Sequence, residues 1–195
     1  LIAEKVPFLC LSAASCVTTL LAQQETMGLP VSLGNRAGNA PVSYVIYLWQ
    51  MICPTNLAVF YPHPLSRLPW LEVLLALLLM AAISAAVWLW RKRQPWLAVG
   101  WLWYLGMLVP MIGILQVGAQ AHADRYTYLP QTGLYVLVAW LAAELCAGRR
   151  HCRLILGGLG MVVLAALMQC ARVQTAYWSD SRVLWKHTLD CTRDN

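Results

Sequence analysis

Charged residues in this chain are gathered into a few short clusters, and long stretches of apolar side chains run between them. A bilayer core of about 30 Å is crossed by roughly 20 mostly apolar residues at helical rise, so such stretches restrict the fold more than any other feature of the sequence. Five runs read as spans: residues 6–22, 73–90, 96–117, 133–146 and 154–170. The first is polar for a span, with Ser12, Ser15, Thr18 and Thr19 able to bond back to the helix or across to a neighbour. The second is the most hydrophobic, with a block of leucines at 74, 75, 77, 78 and 79, and is stopped by Arg91-Lys92-Arg93. The last two are short, which implies modest tilt or a thin local bilayer. With 60% hydrophobic and 11% charged residues, the chain is excluded from the soluble globular class. Ten Trp and eight Tyr against two Phe fit rings placed where hydrocarbon meets water. The expected fold is all-α, a polytopic membrane helical bundle of about five spans plus one interfacial or re-entrant helix.

That extra helix is the stretch 42–60, which is amphipathic, carries Ser43, Tyr44, Tyr47, Gln50 and Asn56, and is interrupted by Pro54. Charge bias bears on its placement. The clusters Arg91-Lys92-Arg93 and Arg149-Arg150-His151-Cys152-Arg153 lie in short loops and are expected on the cytoplasmic side. Two spans separate them, so the loops 61–69 and 116–130, and the tail after Cys170, belong outside. If Lys5 is cytoplasmic too, the first helix already delivers the chain outward and 42–60 lies along the outer interface instead of crossing. The units are therefore 1–22, a first span; 23–68, an outer-side loop with the interfacial helix; 69–171, a four-span region; and 172–195, a juxtamembrane linker. Within the 96–117 run, Pro110 is expected to kink the helix, with Gly100, Gly106, Gly113 and Gly118 allowing close helix approach around it. In the linker, Ser179-Asp180 supplies an N-cap signal for a short helix. The net charge of +6 follows the membrane-flanking clusters, so it sets topology and does not indicate nucleic acid. The seven Cys show no metal-ligand or disulfide spacing, and no metal or cofactor is expected.

The densest polar segment is Gln120 to Pro130, between two spans on the expected outer face. Ionisable groups that close to hydrocarbon are expensive and usually have a task. Arg125 suits a phosphate, onto which a guanidinium forks two parallel hydrogen bonds. Tyr126 and Tyr128 offer faces to a lipid or sugar, Asp124 is placed to orient Arg125, and His122 to donate to an anion or act as acid or base. A second patch, residues 34–40 with Ser43 and Tyr44, reads as a Gly/Asn turn presenting Arg36 as another outer cation. His63, between two prolines, sits in a stiff loop.

These residues carry a resemblance. Glu4-Lys5-Val6-Pro7-Phe8 with Ser12 and Ser15, then Arg36, Asn39-Ala40 and Ser43-Tyr44, Pro54 with Leu57, Phe60-Tyr61-Pro62, and Ala123-Asp124-Arg125-Tyr126-Thr127-Tyr128-Leu129-Pro130 follow in order along nearly the whole chain. The set resembles the transmembrane and tetratricopeptide-repeat-containing O-mannosyltransferase-like family, its bacterial branch most closely, and the 124–130 element is its most specific part. The ending Leu184-x-x-His187-Thr188-Leu189 followed by Asp194-Asn195 is similar to the second helix of a tetratricopeptide unit. The resemblance implies a GT-C-class membrane glycosyltransferase that takes a sugar from a polyprenyl-phosphate donor to an acceptor hydroxyl, with a protein the expected acceptor. It implies a bacterial inner-membrane location, with the carboxy-terminal tail and its repeats on the periplasmic side. One departure stands out: no segment matches that class's acidic residue in the first outer loop, since Glu25 and Asp124 are lone acids in another context. The chain also opens on Leu1 and is read as the carboxy-terminal part of the membrane domain, a fragment inactive alone. The alternatives are a noncatalytic membrane anchor displaying repeats for protein interaction, and a transporter of a polyprenyl-linked glycan.

The two basic loops generate a direct test. In a background lacking the other cysteines, Cys152 should be labelled by an impermeant thiol reagent only from the cytoplasm and Cys191 only from outside. Labelling of both from one face would break the parity argument.

Overall fold

A computed structural model describes residues 6–22, 32–63, 68–113, 120–148 and 150–192. Among these, seven α-helices and one two-stranded ribbon are formed: α1 (Val6–Ala22), α2 (Leu33–Ile52), β1 (Tyr61–Pro62), α3 (Trp70–Trp90), α4 (Pro95–Leu108), β2 (Gln120–His122), α5 (Tyr128–Cys146), α6 (Cys152–Tyr177) and α7 (Ser181–Cys191). A 3-10 turn, Asp124–Thr127, leads from β2 into α5. Lys5, Glu4, Glu25, Gly118, Arg149, Asp194 and Asn195, on which several expectations rest, lie outside the described residues.

Three helical segments, α3, Asp124–Cys146 and α6, are long and apolar enough to cross a membrane. Their surfaces fit that solvent. No residue of α6 is buried and α3 buries only Ala76, so leucine and valine side chains face outward. Contiguous apolar surface of this extent is unsuited to water and suited to lipid tails. The helix ends have local causes. α3 starts after extended Pro69 with Glu72 in its first turn, where a carboxylate complements the helix dipole. At its other end Arg91 folds back, donating to the Trp88 carbonyl at 2.6 Å with its guanidinium 3.4 Å from the indole centroid. α4 begins on Pro95, whose missing N–H costs nothing in the first turn. The turn beyond α5 uses Gly148 at φ +83, a left-handed conformation that glycine adopts without strain. The short helix expected after Ser179-Asp180 is α7, with the Asp180 carboxylate accepting from the Arg182 N–H at 2.8 Å.

Two expectations change. The run 96–117 does not continue through a kink: α4 has 14 residues and gives way to a turn closed by the Met111 N–H on the Leu108 carbonyl at 2.8 Å. Pro110 lacks the N–H that would serve Gly106, and its ring crowds that carbonyl, so the helix stops. Gly113, at φ +89, lies beside Asn39 and Ala121. The second change concerns residues 34–40, which form the first turns of α2 and not a Gly/Asn turn. Ser32 caps that helix, its hydroxyl accepting from the Asn35 N–H at 3.3 Å. The helix ends at Ile52, ahead of Pro54, so the amphipathic segment is Leu33–Ile52 and not 42–60.

The core gathers where α2, α4 and α5 meet: Ala40, Tyr47, Trp101, Tyr104, Leu108, Ile112 and Leu134. Tyr44 and Tyr104 lock α2 to α4 reciprocally. The Tyr44 hydroxyl donates to the Leu105 carbonyl at 2.8 Å, and the Tyr104 hydroxyl to the Tyr44 carbonyl at 2.6 Å. Trp101 reaches Ser84 of α3 and Trp103 reaches the Leu129 carbonyl of α5. The tightest approach is between α4 and α5. A Cβ on Gly100 would lie 2.6 Å from the Gly133 carbonyl oxygen, and one on Gly133 would lie 2.7 Å from that of Gly100. Of the glycines expected to permit close packing, Gly100 does so, while Gly106 has open space around it.

Gly100→Ala or Gly133→Ala should therefore force α4 and α5 apart and destabilise by about 1–3 kcal/mol, the scale of overpacking. Gly106→Ala should be neutral or stabilising, since alanine favours helix. Thermal unfolding in detergent of the three variants checks this. Equal effects at positions 100 and 106 would refute it.

Candidate functional site

One face of α2 carries Arg36, Asn39, Ser43, Tyr47 and Gln50, spaced three and four residues apart so that they fall on a single stripe. This stripe runs along β2 and the residue pair after it, and supplies what a neighbouring strand would. Asn39 Nδ2 donates to the Ala121 carbonyl at 3.0 Å and to Ser43 Oγ at 3.3 Å. The Tyr47 hydroxyl takes both polar groups of Ala123, accepting from its N–H at 3.0 Å and donating to its carbonyl at 3.3 Å. Gln50 Nε2 donates to Asp124 Oδ1 at 3.0 Å. The other edge of β2 pairs with β1, antiparallel, with Tyr61 opposite His122. A buried backbone group left without a partner is costly, so the polar stripe is what permits this segment to lie among apolar helices.

The sequence expectations divide here into two clusters. Asp124 and His122 belong to the inner one. Asp124 accepts from Gln50 and, through Oδ2 at 3.1 Å, from the Tyr61 hydroxyl, which in turn accepts from the Ala58 N–H at 2.8 Å. His122 stacks on the Tyr61 ring with centroids 4.1 Å apart and meets Tyr47 edge-on. Its Nδ1 and the Gln50 Oε1 are buried without a hydrogen-bond partner. Burial pushes the His122 pKa down to about 4, so the ring is neutral at pH 7. The same burial, followed by the charge of Asp124, pushes the Tyr61 phenol up, so it remains a donor.

The outer cluster holds Arg125 and Tyr126. Asp124 does not orient Arg125 as expected: Arg125 points the other way and is exposed. One of its terminal nitrogens donates to Gln120 Oε1 at 3.3 Å, its guanidinium carbon lies 5.1 Å from the Tyr126 ring centroid, and Gln120 Nε2 donates to the Tyr126 hydroxyl at 2.8 Å. Successive residues in the 3-10 turn project on different sides, and Gln50 and Tyr61 claim the carboxylate. Tyr128 is 78% exposed at the start of α5 and joins neither cluster. Arg36 is half-buried on the polar stripe, and after burial itself its charge is the cause that holds the His63 pKa down. The sequence marks Tyr47 and Gln50 only as polar residues of an amphipathic stretch and not as site residues, although the spacing 36, 39, 43, 47, 50 was there to be read. Among the described residues, no three His, Cys, Asp or Glu side chains converge as a metal site. The arrangement offers an exposed cation next in sequence to a half-buried carboxylate, each of whose oxygens already accepts a hydrogen bond. No protein-family model, curated protein or solved structure matches the chain.

The buried His122 gives a pH dependence with a definite sign. Its pKa falls on folding from 6.5 to about 4, so the unfolded chain binds the extra proton first. Its contribution is fully present above pH 6.5 and is lost as pH falls toward 4, by on the order of 3 kcal/mol at most. His122→Phe keeps a ring for Tyr61 and removes the titration. Unfolding curves of the two proteins should diverge between pH 6.5 and 4, with the native chain losing more stability; parallel curves would count against this burial.

Proposed function

We propose that this chain is part of a membrane glycosyltransferase of the GT-C class, which moves a sugar from a polyprenyl-phosphate-linked donor to an acceptor hydroxyl, a protein's by expectation. The donor's phosphate is held by Arg125. The observation that carries this reading is the separation of Asp124 from Arg125: with the carboxylate taken by Gln50 and Tyr61, the guanidinium stays exposed and is paired with no carboxylate among the described residues. A guanidinium has five N–H donors in a rigid fork. Gln120 uses one of them and Tyr126 lies alongside the group, so the rest are available at low ordering cost.

Breaking the bond from the sugar's anomeric carbon to the phosphate oxygen leaves negative charge on the leaving phosphate. A preorganised cation stabilises that charge more in the transition state than in the donor. Arg36, on the stripe that carries the ribbon, is proposed as a second cation for the same ligand, and Tyr126 and Tyr128 as surfaces for its lipid or sugar part. His122 and Asp124 serve this reading by fixing the turn from which Arg125 projects. The residues resembling the O-mannosyltransferase-like family, above all 124–130, support it independently of the geometry. So do the three membrane-length helices, for a lipid-linked donor. In this reading the chain sits in a bacterial inner membrane with the tail on the periplasmic side, where α7 leads into repeats. The transporter alternative rested on a kinked helix beside the arginine, and α4 ends at Leu108 instead. The anchor alternative differs in assigning Arg125 no ligand.

Arg125→Lys keeps the charge but loses the fork. In the full-length protein, transfer per correctly inserted molecule should fall about 10-fold for Lys and about 100-fold for Ala, by comparison with other preorganised donors. Arg91→Ala, at the other end of α3, should leave turnover unchanged. Unaltered donor use in both Arg125 variants would transfer the weight to the anchor reading.

A further inference from the structure

The peptide group between Leu57 and Ala58 is engaged at both ends. Its carbonyl accepts from Gln174 Nε2 on α6 at 2.9 Å and contacts His187 Nε2 on α7 at 3.2 Å. A carbonyl can only accept, so His187 carries its proton on Nε2. The N–H of that same peptide donates to the Tyr61 hydroxyl at 2.8 Å, and the Tyr61 hydroxyl donates to Asp124 at 3.1 Å. A continuous line of hydrogen bonds therefore runs from the tail helices, through one peptide, to the carboxylate of the inner cluster. Hydrogen bonds in series polarise one another, and donation to an amide carbonyl makes its N–H a better donor.

Both ends of the line are held rigidly. His187 is stacked flat on Tyr177, with centroids 3.7 Å apart and planes 8° off parallel, which fixes its ring against rotation. Asn56 precedes Leu57 at φ +57, a left-handed conformation that asparagine tolerates better than most residues. Tyr61 is fixed by its stack on His122. Tyr61 and His187 make no hydrogen bond or ring contact with each other.

We propose that Gln174 and His187 are positioning residues that hold Tyr61 against Asp124 through the Leu57–Ala58 peptide, so that docking of α7 sets the geometry of the cluster behind Arg125. The tail is in this view a coupled part of the candidate site and not a passive exit from the membrane. The inference does not depend on sugar transfer, and its test reads structure and not turnover.

The test is a double-mutant cycle on the full chain in nanodiscs, pairing His187→Leu with Tyr61→Phe, which keeps the ring stack and removes only the hydroxyl. The loss of melting temperature caused by His187→Leu should shrink by at least about half when Tyr61 is already Phe, as coupled sites do and independent ones do not. Amide exchange of residues 57–61 should rise roughly 5- to 10-fold in His187→Leu and Gln174→Leu, the scale of one net hydrogen bond. It should stay unchanged in Lys186→Ala, an exposed neighbour on α7. His187→Gln, which retains an N–H donor, should restore most of the protection. Gln174→Leu leaves the His187–Tyr177 stack in place and carries the same cycle if His187→Leu does not fold. Additive effects in the cycle, or exchange at 57–61 unmoved by either tail variant, would overturn the proposal.

Discussion

A short ribbon of strand lies against apolar helices in this protein, and such a ribbon is stable only if its backbone polar groups find partners. The polar stripe of α2 provides them. Tyr47 satisfies both groups of Ala123, Asn39 the carbonyl of Ala121, and Gln50 the carboxylate that follows. Remove that stripe and β2 has one paired edge and one bare edge in a poorly hydrated setting. The same helix uses an adjacent face for Tyr44 and for Ala40, which tie it to α4 and the core. α2 is therefore amphipathic for an internal reason: its polar side faces protein backbone.

Everything around the candidate site follows from how firmly that ribbon is held. The Gly100–Gly133 crossing brings α4 against α5 and so fixes where α5 begins. The 3-10 turn before α5 then sends Asp124 inward and Arg125 outward. An adjacent Asp-Arg pair would ordinarily be expected to neutralise itself. Here the carboxylate is taken by neutral donors, and the positive charge is left for something else. Among the described residues no carboxylate pairs with the exposed Arg125 guanidinium, which rests on Gln120 and Tyr126. The ring of contacts among Gln120, Tyr126 and Arg125 limits the side-chain entropy such a group would otherwise lose on binding.

The peptide at 57–58 extends this logic to the carboxy-terminal helices. α6 and α7 hydrogen-bond to the site cluster through the Leu57 carbonyl, and Cys191 of α7 lies within electrostatic reach of Tyr61. A membrane helix has few polar groups with which to register its neighbours, so each one counts. Gln174 lies near the end of α6 and His187 one turn from the end of α7, where an apolar surface gives way to the polar tail.

The sequence alone determined those features that depend on hydrocarbon length and on local chain chemistry. The apolar block ending at Arg91-Lys92-Arg93 made α3 a membrane-length helix, and Asp180 made the start of α7, because transfer free energy and capping act within a few residues. The Gln120–Pro130 segment was recognisable as the polar centre for a similar reason: charge beside long apolar runs is expensive. Tertiary structure decided the rest. The patch 34–40 has the composition of a turn, yet burial of Asn39 and Ser43 beside β2 and of Ala40 in the core makes it helix. Pro110 marked a break in either case, and only the packing of Ile112 in the core and of Gly113 beside Ala121 made it an end and not a kink. The partners of Asp124 come from residues 74 and 63 positions away, so no local pattern could show that it turns its back on Arg125. Hydrogen-bond geometry between distant segments, which composition and periodicity do not encode, is what chose between a self-neutralising pair and a free cation.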